Sequence, residues 1–352
     1  MRDTKLVVIF LAVLVFFAVG FMLHLLSAIL LPLVVAFFLS MIFSPLVEKL
    51  RQRKVPGAVS ILLVLLLVSA TLFLFSWIFY TSAQSFIAAL PRYQVRLAQL
   101  QSGLLERLTA WLPAAFHDRL QHLEWGEALD VSAMTGFAAV WIGSLFLVVN
   151  ELFLVILYLV FLLIGSESFP QKLNRAFAQD GADRLGAVMR NIELQVRKYL
   201  VMKTVVNLIN GTLVTILLAL CGVDFPLVWG FLTFLAHFIP QVGGVFSVAL
   251  PAIFMLIQFE SAGWALLVAA LNLAVQFTVG NVVEPRMMGT SLDLSPLLVL
   301  LALIFWGWLW GAWGMVLAVP ITSMIKIVCE NIEPLRPVAI LMSGGHEGTA
   351  AS

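Results

Sequence analysis

Apolar residues run almost unbroken through 6–23 and 25–47, with a tight turn expected near His24. The charged residues collect between such runs. A membrane-crossing helix needs about 20 apolar residues, because the hydrocarbon core is about 30 Å thick. Four more runs, 57–80, 138–164, 204–221 and 261–283, meet that requirement and bring the expected full spans to six. Two other runs, 225–259 and 294–325, are too long for one crossing, and each is interrupted. The first contains Ile239-Pro240-Gln241-Val242-Gly243-Gly244, and the second Trp306-Gly307-Trp308-Leu309-Trp310-Gly311-Ala312-Trp313-Gly314. Proline removes a backbone donor and paired glycines favour a turn. The halves of the first run, 227–239 and 243–257, each reach only about 20 Å at 1.5 Å per residue. Both runs are therefore read as re-entrant helical hairpins, the alternative being long kinked or paired helices. The expected fold is an all-α polytopic membrane protein with about eight spans by hydropathy.

Charge between the runs sets the orientation, because basic loops stay in the cytoplasm. Lys49, Arg51, Arg53 and Lys54 cluster after the second run, and seven basic residues lie between Lys172 and Lys203. Segment 81–137 holds four basic and five acidic residues and is placed outside. Both termini are then cytoplasmic. Arg286, Lys326 and Arg336 stay inside only if the two hairpins enter from opposite faces. After Pro91, read as a first helical residue, Tyr93, Leu97, Leu100, Leu104, Leu108 and Trp111 recur at helical spacing. They form an apolar stripe suited to packing or to a membrane surface. Residues 171–200 are expected to form a cytoplasmic helical segment. The chain thus divides into a three-span unit (1–80) and an outer amphipathic segment (81–137). A span with its linker (138–203) and a hairpin-containing transport unit (204–335) follow, and the tail (336–352) is expected to be disordered.

Composition agrees. Of 352 residues, 62% are hydrophobic and 11% charged, whereas soluble domains carry roughly 25% charge. A formal charge of +1 removes the case for a nucleic-acid partner. Cys221 and Cys329 form no framework and match no metal spacing. No cofactor or metal is expected.

Catalytic signatures for a nucleophilic serine, a phosphate loop or a helical zinc site are missing from the sequence, so no enzyme is expected. His117 and His122 are five apart, off the one-face spacing that a helical metal site prefers. Polar residues inside apolar runs carry more information, because each is costly in hydrocarbon and faces the bundle interior. Glu151, in the fourth span beside Asn150, is either a proton or cation carrier or a partner for another buried polar group. Asn207 and Asn210 share a face, as do Asn272 and Gln276, whose face continues towards Gly280 and Glu284. His237 and Gln241 flank the first hairpin tip. There Pro240 ends one half-helix in free carbonyls, and Gly243 and Gly244 begin the next with free amides. Together these groups suit a small hydroxylated solute, and the carboxylates suit a monovalent cation.

The sequence resembles the autoinducer-2 exporter family of bacterial inner-membrane permeases. The resemblance is carried by Ser44-Pro45-Leu46-Val47, by the Pro240 run and above all by Gly280-Asn281-Val282-Val283-Glu284-Pro285-Arg286-Met287-Met288-Gly289. Ser295-Pro296-Leu297, Gly311-Ala312-Trp313-Gly314 and Ala318-Val319-Pro320 follow in order, and the likeness covers roughly 26–335. It implies a homo-oligomeric secondary transporter working by alternating access, with Asn281 and Glu284 at the site. In that family some members are associated with export of autoinducer-2, others with sodium or lithium exchange for protons. The expected function is efflux of a small polar organic solute. The alternative is an antiporter that uses Glu151 or Glu284. His237 and Gln241 depart from the family's usual Asn and aromatic residue, and the Trp-rich tip departs from a smaller-residue pattern.

Overall fold

The computed structural model describes residues 2–111, 152–165, 179–259, 261–288 and 293–344. The described residues are helical apart from short connections and one isolated bridge between Leu294 and Ser343. In chain order the helices are α1 (Arg2–Leu25), α2 (Ser27–Gln52), α3 (Gly57–Trp111), α4 (Leu152–Gly165) and α5 (Gln179–Leu220). They continue with α6 (Pro226–Ala236), α7 (Val242–Gln258), α8 (Ala262–Thr278), α9 (Glu284–Met288), α10 (Pro296–Asn331) and α11 (Arg336–Met342). Four helical stretches, Ser27–Gln52, Gly57–Ile78, Leu185–Leu220 and Ala262–Met288, are long and apolar enough to cross a membrane, and a fifth, Pro296–Asn331, has the length and composition but is broken at Trp310 and Gly311. The chain is a multi-pass, all-α membrane protein.

Three expectations change. The amphipathic stretch does not begin a new helix at Pro91, because Pro91 lies inside α3. With 55 residues this helix is about 82 Å long, far more than a bilayer needs. A proline costs a helix one hydrogen bond and a ring clash, and 34 residues of helix before it outlast that cost. Likewise, the cytoplasmic segment and the fifth span are one continuous 42-residue helix, α5. Finally, 336–342, assigned by sequence to a disordered tail, forms α11.

The chain folds as two compact units, each assembled from distant segments. One comprises 1–68, 150–203 and 288–352, and the other 69–149 and 204–287. In the first, Phe38 and Met41 of α2 pack with Ile192 and Val196 of α5 and with Leu317 and Ile327 of α10. Helix α10 is a hairpin: Trp310 (φ −131°, ψ 17°) and Gly311 (φ 61°, ψ −142°) leave the helical region and reverse the chain. Gly311 occupies backbone space that only glycine visits without strain. A Cβ on Gly314 would fall onto the Trp306 carbonyl, so the two arms touch backbone to backbone. The tip is pinned to the α1–α2 turn. The His24 ring donates Nδ1–H to Leu309 O (3.0 Å) and stacks on Trp308, and Trp310 Nε1 donates to Leu23 O (3.3 Å).

The order of 336–344 has a visible cause. Buried Lys326 donates to Asp293 O (2.7 Å) and Oδ2 (3.0 Å) and pairs with Glu330 (3.5 Å). Asp293 also accepts from Ser343 Oγ (2.7 Å) and Gly344 N (3.2 Å), and Ser295 N donates to Met342 O (3.0 Å). The segment after α10 is thereby clasped to the segment before it. The Ser343 hydroxyl, helped by Lys326, holds the Asp293 carboxyl below the usual range. A carboxylate lowered by folding stabilises at pH above its unfolded value, about 3.9, and loses that contribution as pH falls through its folded value. Amide hydrogen exchange, corrected for intrinsic rates, is therefore expected to show 336–344 protected at pH 6 and losing protection below about pH 4. Unchanged protection at the lower pH would count against the clasp.

Candidate functional site

The second unit contains the first hairpin. Helix α6, of 11 residues, spans about 16 Å and α7, of 17, about 25 Å. Neither reaches across about 30 Å of hydrocarbon, as the interrupted run predicts. The base of the hairpin is closed by Gln258 at the end of α7. Its amide accepts from Asp224 N (2.9 Å) and donates to Gly222 O (2.8 Å). Tyr93 of α3 donates to Asp224 Oδ2 (2.5 Å) and packs edge-on against Phe254 of α7. Burial, reinforced by Asp224, pushes the Tyr93 hydroxyl above the usual tyrosine range, so it remains a donor at any physiological pH.

At the tip, the turn does not use its glycines as the sequence suggested. Gln241 is the residue with positive φ (66°, ψ −48°), and Val242 N bonds to Pro240 O (2.7 Å) across it. This is the rarer, strained form of γ-turn, in a conformation that non-glycine residues keep only when the surroundings impose it. Gly243 serves a different purpose. An added Cβ there would strike the Ala236 carbonyl and lie 2.7 Å from His237 Cα, whereas one on Gly244 meets nothing within 4 Å. The arms cross at Gly243, and Gly244 is sterically free. His237 is buried at the end of α6, its N–H on Thr233 O (3.0 Å).

Below the tip runs a seam of buried polar side chains. Asn272 Nδ2 of α8 donates to Ser247 O of α7 (2.9 Å), and Asn210 Nδ2 of α5 donates to Gln276 Oε1 of α8 (3.0 Å). Asn207, Asn210, Thr233, Ser247, Asn272 and Gln276 are all at most 6% exposed. Helix α6 joins the seam because it crosses α5 at two glycines. A Cβ on Gly211 would lie 2.6 Å from Gly230 O, an approach that small residues permit between membrane helices. Thr233 lies one turn beyond Gly230. The bonding is incomplete: Asn210 Oδ1, Thr233 Oγ1, Asn272 Oδ1 and Gln276 Nε2 are buried without a protein hydrogen-bond partner. Each unpaired buried polar group costs on the order of 1–3 kcal/mol, so four in one apolar unit mark a place suited to a polar occupant.

The fold thus gathers Asn272 and Gln276 with Asn210, and it buries His237 one turn beyond Thr233. Thr233 and Ser247 escaped the sequence reading. Their only signal is helical spacing, four residues before His237 and four after Gly243. Other candidates lie elsewhere. Gln241 and Asn281 are exposed, and Asn281 bonds back to Phe277 O (3.0 Å). Glu284 is half-buried on α9, and Glu151 lies outside the described residues. Between the Asn272–Gln276 face and Glu284, the segment Val279–Val283 is a turn of π-helix. A π turn adds a residue and rotates everything after it. It falls where Pro285 would otherwise clash with the carbonyl four residues back. Among the described residues no three His, Cys, Asp or Glu side chains could hold a metal ion.

Comparison with known proteins adds the context. The model of the AI-2E family transporter matches residues 11–333. A protein of Haemophilus influenzae named as a transport protein is 32% identical over 323 residues, covering 90% of each chain. The AI-2 transport protein TqsA of Escherichia coli K12 is 32% identical over 321 residues, also covering 90% of each. Another E. coli K12 protein named as a transport protein, YhhT, is 31% identical over 325 residues, covering 92% of this chain and 90% of its own.

Proposed function

The chain belongs to the AI-2E transporter family, and from that premise we propose that it exports a small polar organic solute by alternating access. The buried seam of the first hairpin unit would be the solute site. The observation that carries this reading is the set of amides at Asn210, Asn272 and Gln276, each of which uses one end and leaves the other unpaired. A solute bearing hydroxyls satisfies both kinds of free end, since a hydroxyl donates and accepts. Autoinducer-2, after which the relative TqsA is named, has that character. His237, with the Pro240 carbonyl and the strained Gln241 turn, would border the site from the tip. Gly244 would present the α7 amide, since the Gly243 N–H already donates to Ile239 O (3.0 Å). Asn281 and Glu284 would act at the π turn rather than in the seam.

The bilayer would be the bacterial inner membrane, with both termini cytoplasmic. A cysteine at 103 is then labelled by an impermeant reagent from outside, and one at 181 is not. The reverse pattern defeats this orientation. The decisive experiment is counterflow in proteoliposomes loaded with unlabelled autoinducer-2. Labelled autoinducer-2 is expected to accumulate transiently and saturably, with no proton release on adding sodium or lithium. Cation-dependent proton release without solute exchange would replace export with cation–proton exchange.

A further inference from the structure

The geometry points to a binding site for an anionic phospholipid in a groove between the basic end of α2 and the middle of α5. This groove of about 540 Å³ lies wholly within the first unit, apart from the polar seam. Its floor is apolar, with Ile42 and Leu46 from α2 and Leu194 from α5. Its rim is cationic, with Lys49, Arg197 and Lys198.

The sequence explains why the two characters meet there. The apolar run of α2 ends at Val47, and Lys49 opens the basic cluster that follows. That transition is the level at which lipid headgroups lie, and basic pockets between helices on the cytoplasmic side hold anionic headgroups. Helix α5 brings a second basic pair to the same level, because it runs as one helix from its charged first half into its apolar second half. Glu193 pairs with Arg197 (3.5 Å) and accepts a hydrogen bond from Ser44 (3.4 Å). It therefore offsets Arg197, and the exposed Lys49 and Lys198 supply the net charge of the rim. An inorganic anion would satisfy these lysines and leave the floor uncovered. An acyl chain covers the floor while its phosphate meets the rim.

The test uses full-length protein in neutral detergent, equilibrated with micelles of equal phosphatidylglycerol and phosphatidylcholine. Bound lipid is then quantified after removal of free micelles. Wild-type protein is expected to retain phosphatidylglycerol in preference. Lys49→Gln and Lys198→Gln each lower that preference about fivefold, and Lys→Arg at both positions keeps it. Both lysines are exposed, so these variants keep the fold, which gel filtration checks. Leu194→Gln is expected to weaken retention of either lipid. Equal retention of the two lipids, or a preference unchanged in the double Gln variant, overturns the assignment. Lysine-dependent binding of inorganic phosphate that Leu194→Gln leaves untouched would show a simple anion site and overturn it also. Disulfide-linked dimers formed through Met202→Cys, with Cys221 and Cys329 replaced by Ala, would instead make the groove a contact between copies.

Discussion

Gly243→Ala is expected to remove most of the protein from the membrane, while Gly244→Ala, one residue on, leaves abundance unchanged. The two changes add the same methyl group to adjacent positions in the first turn of α7. At Gly243 it meets the backbone carbonyl of Ala236, and at Gly244 it meets nothing within 4 Å. A backbone obstacle cannot rotate aside as a side chain does, so the arms of the hairpin must separate. Overpacking of this kind costs about 1–3 kcal/mol, a large share of the 5–15 kcal/mol that holds a typical domain. The hairpin has little to absorb it, since α6 offers only 11 residues of contact. Membrane abundance and thermal unfolding of the two variants measure the effect. Equal behaviour of the pair would mean that the arms do not cross as the structure has them.

Replacing the Asn210–Gln276 pair with two leucines is expected to abolish solute exchange and leave stability intact or improved. Removing both partners of a buried hydrogen bond, and with them two unpaired ends, takes away polar groups that hydrocarbon disfavours. If the seam merely joined helices, the double variant would transport as well as wild type. As a solute site it loses two contacts, and exchange falls by at least about tenfold. Asn272→Leu is expected to lower exchange similarly. It also strands Ser247 O, so its stability falls more than that of the pair. Transport and unfolding measured on the same preparations separate the two effects. Unimpaired exchange in the double leucine variant would return the seam to a packing role.

Several features of this protein could be read from residue order alone. Four of the six expected spans, 25–47, 57–80, 204–221 and 261–283, coincide with crossing-length helices, and 138–151 of another lies outside the described residues. The interrupted run around Pro240 gave the first hairpin because its halves are too short to cross. Asn272 and Gln276 were visible as polar residues four apart in an apolar run. Thr233 and Ser247 were not, because a hydroxyl in an apolar helix can bond to its own backbone, as Ser247 does to Gly243 O (2.7 Å). The π turn at Val279–Val283, which rotates the residues after it relative to an unbroken α-helix, was not foreseen. Nothing in the residues themselves marks such a turn except Pro285.

Residue order therefore determined the class of protein and the family, because transfer from water to hydrocarbon depends on composition and run length and hardly on partners. Tertiary structure decided everything that depends on two segments meeting. Only the fold shows that Gly243 is needed for a crossing and Gln241 for the turn. Only the fold clasps 336–344 to Asp293 and joins Asn210 to Gln276 across 66 positions. Contacts of that kind are fixed by packing at distances of about 3 Å, and hydropathy averaged along one segment contains no information about its neighbours.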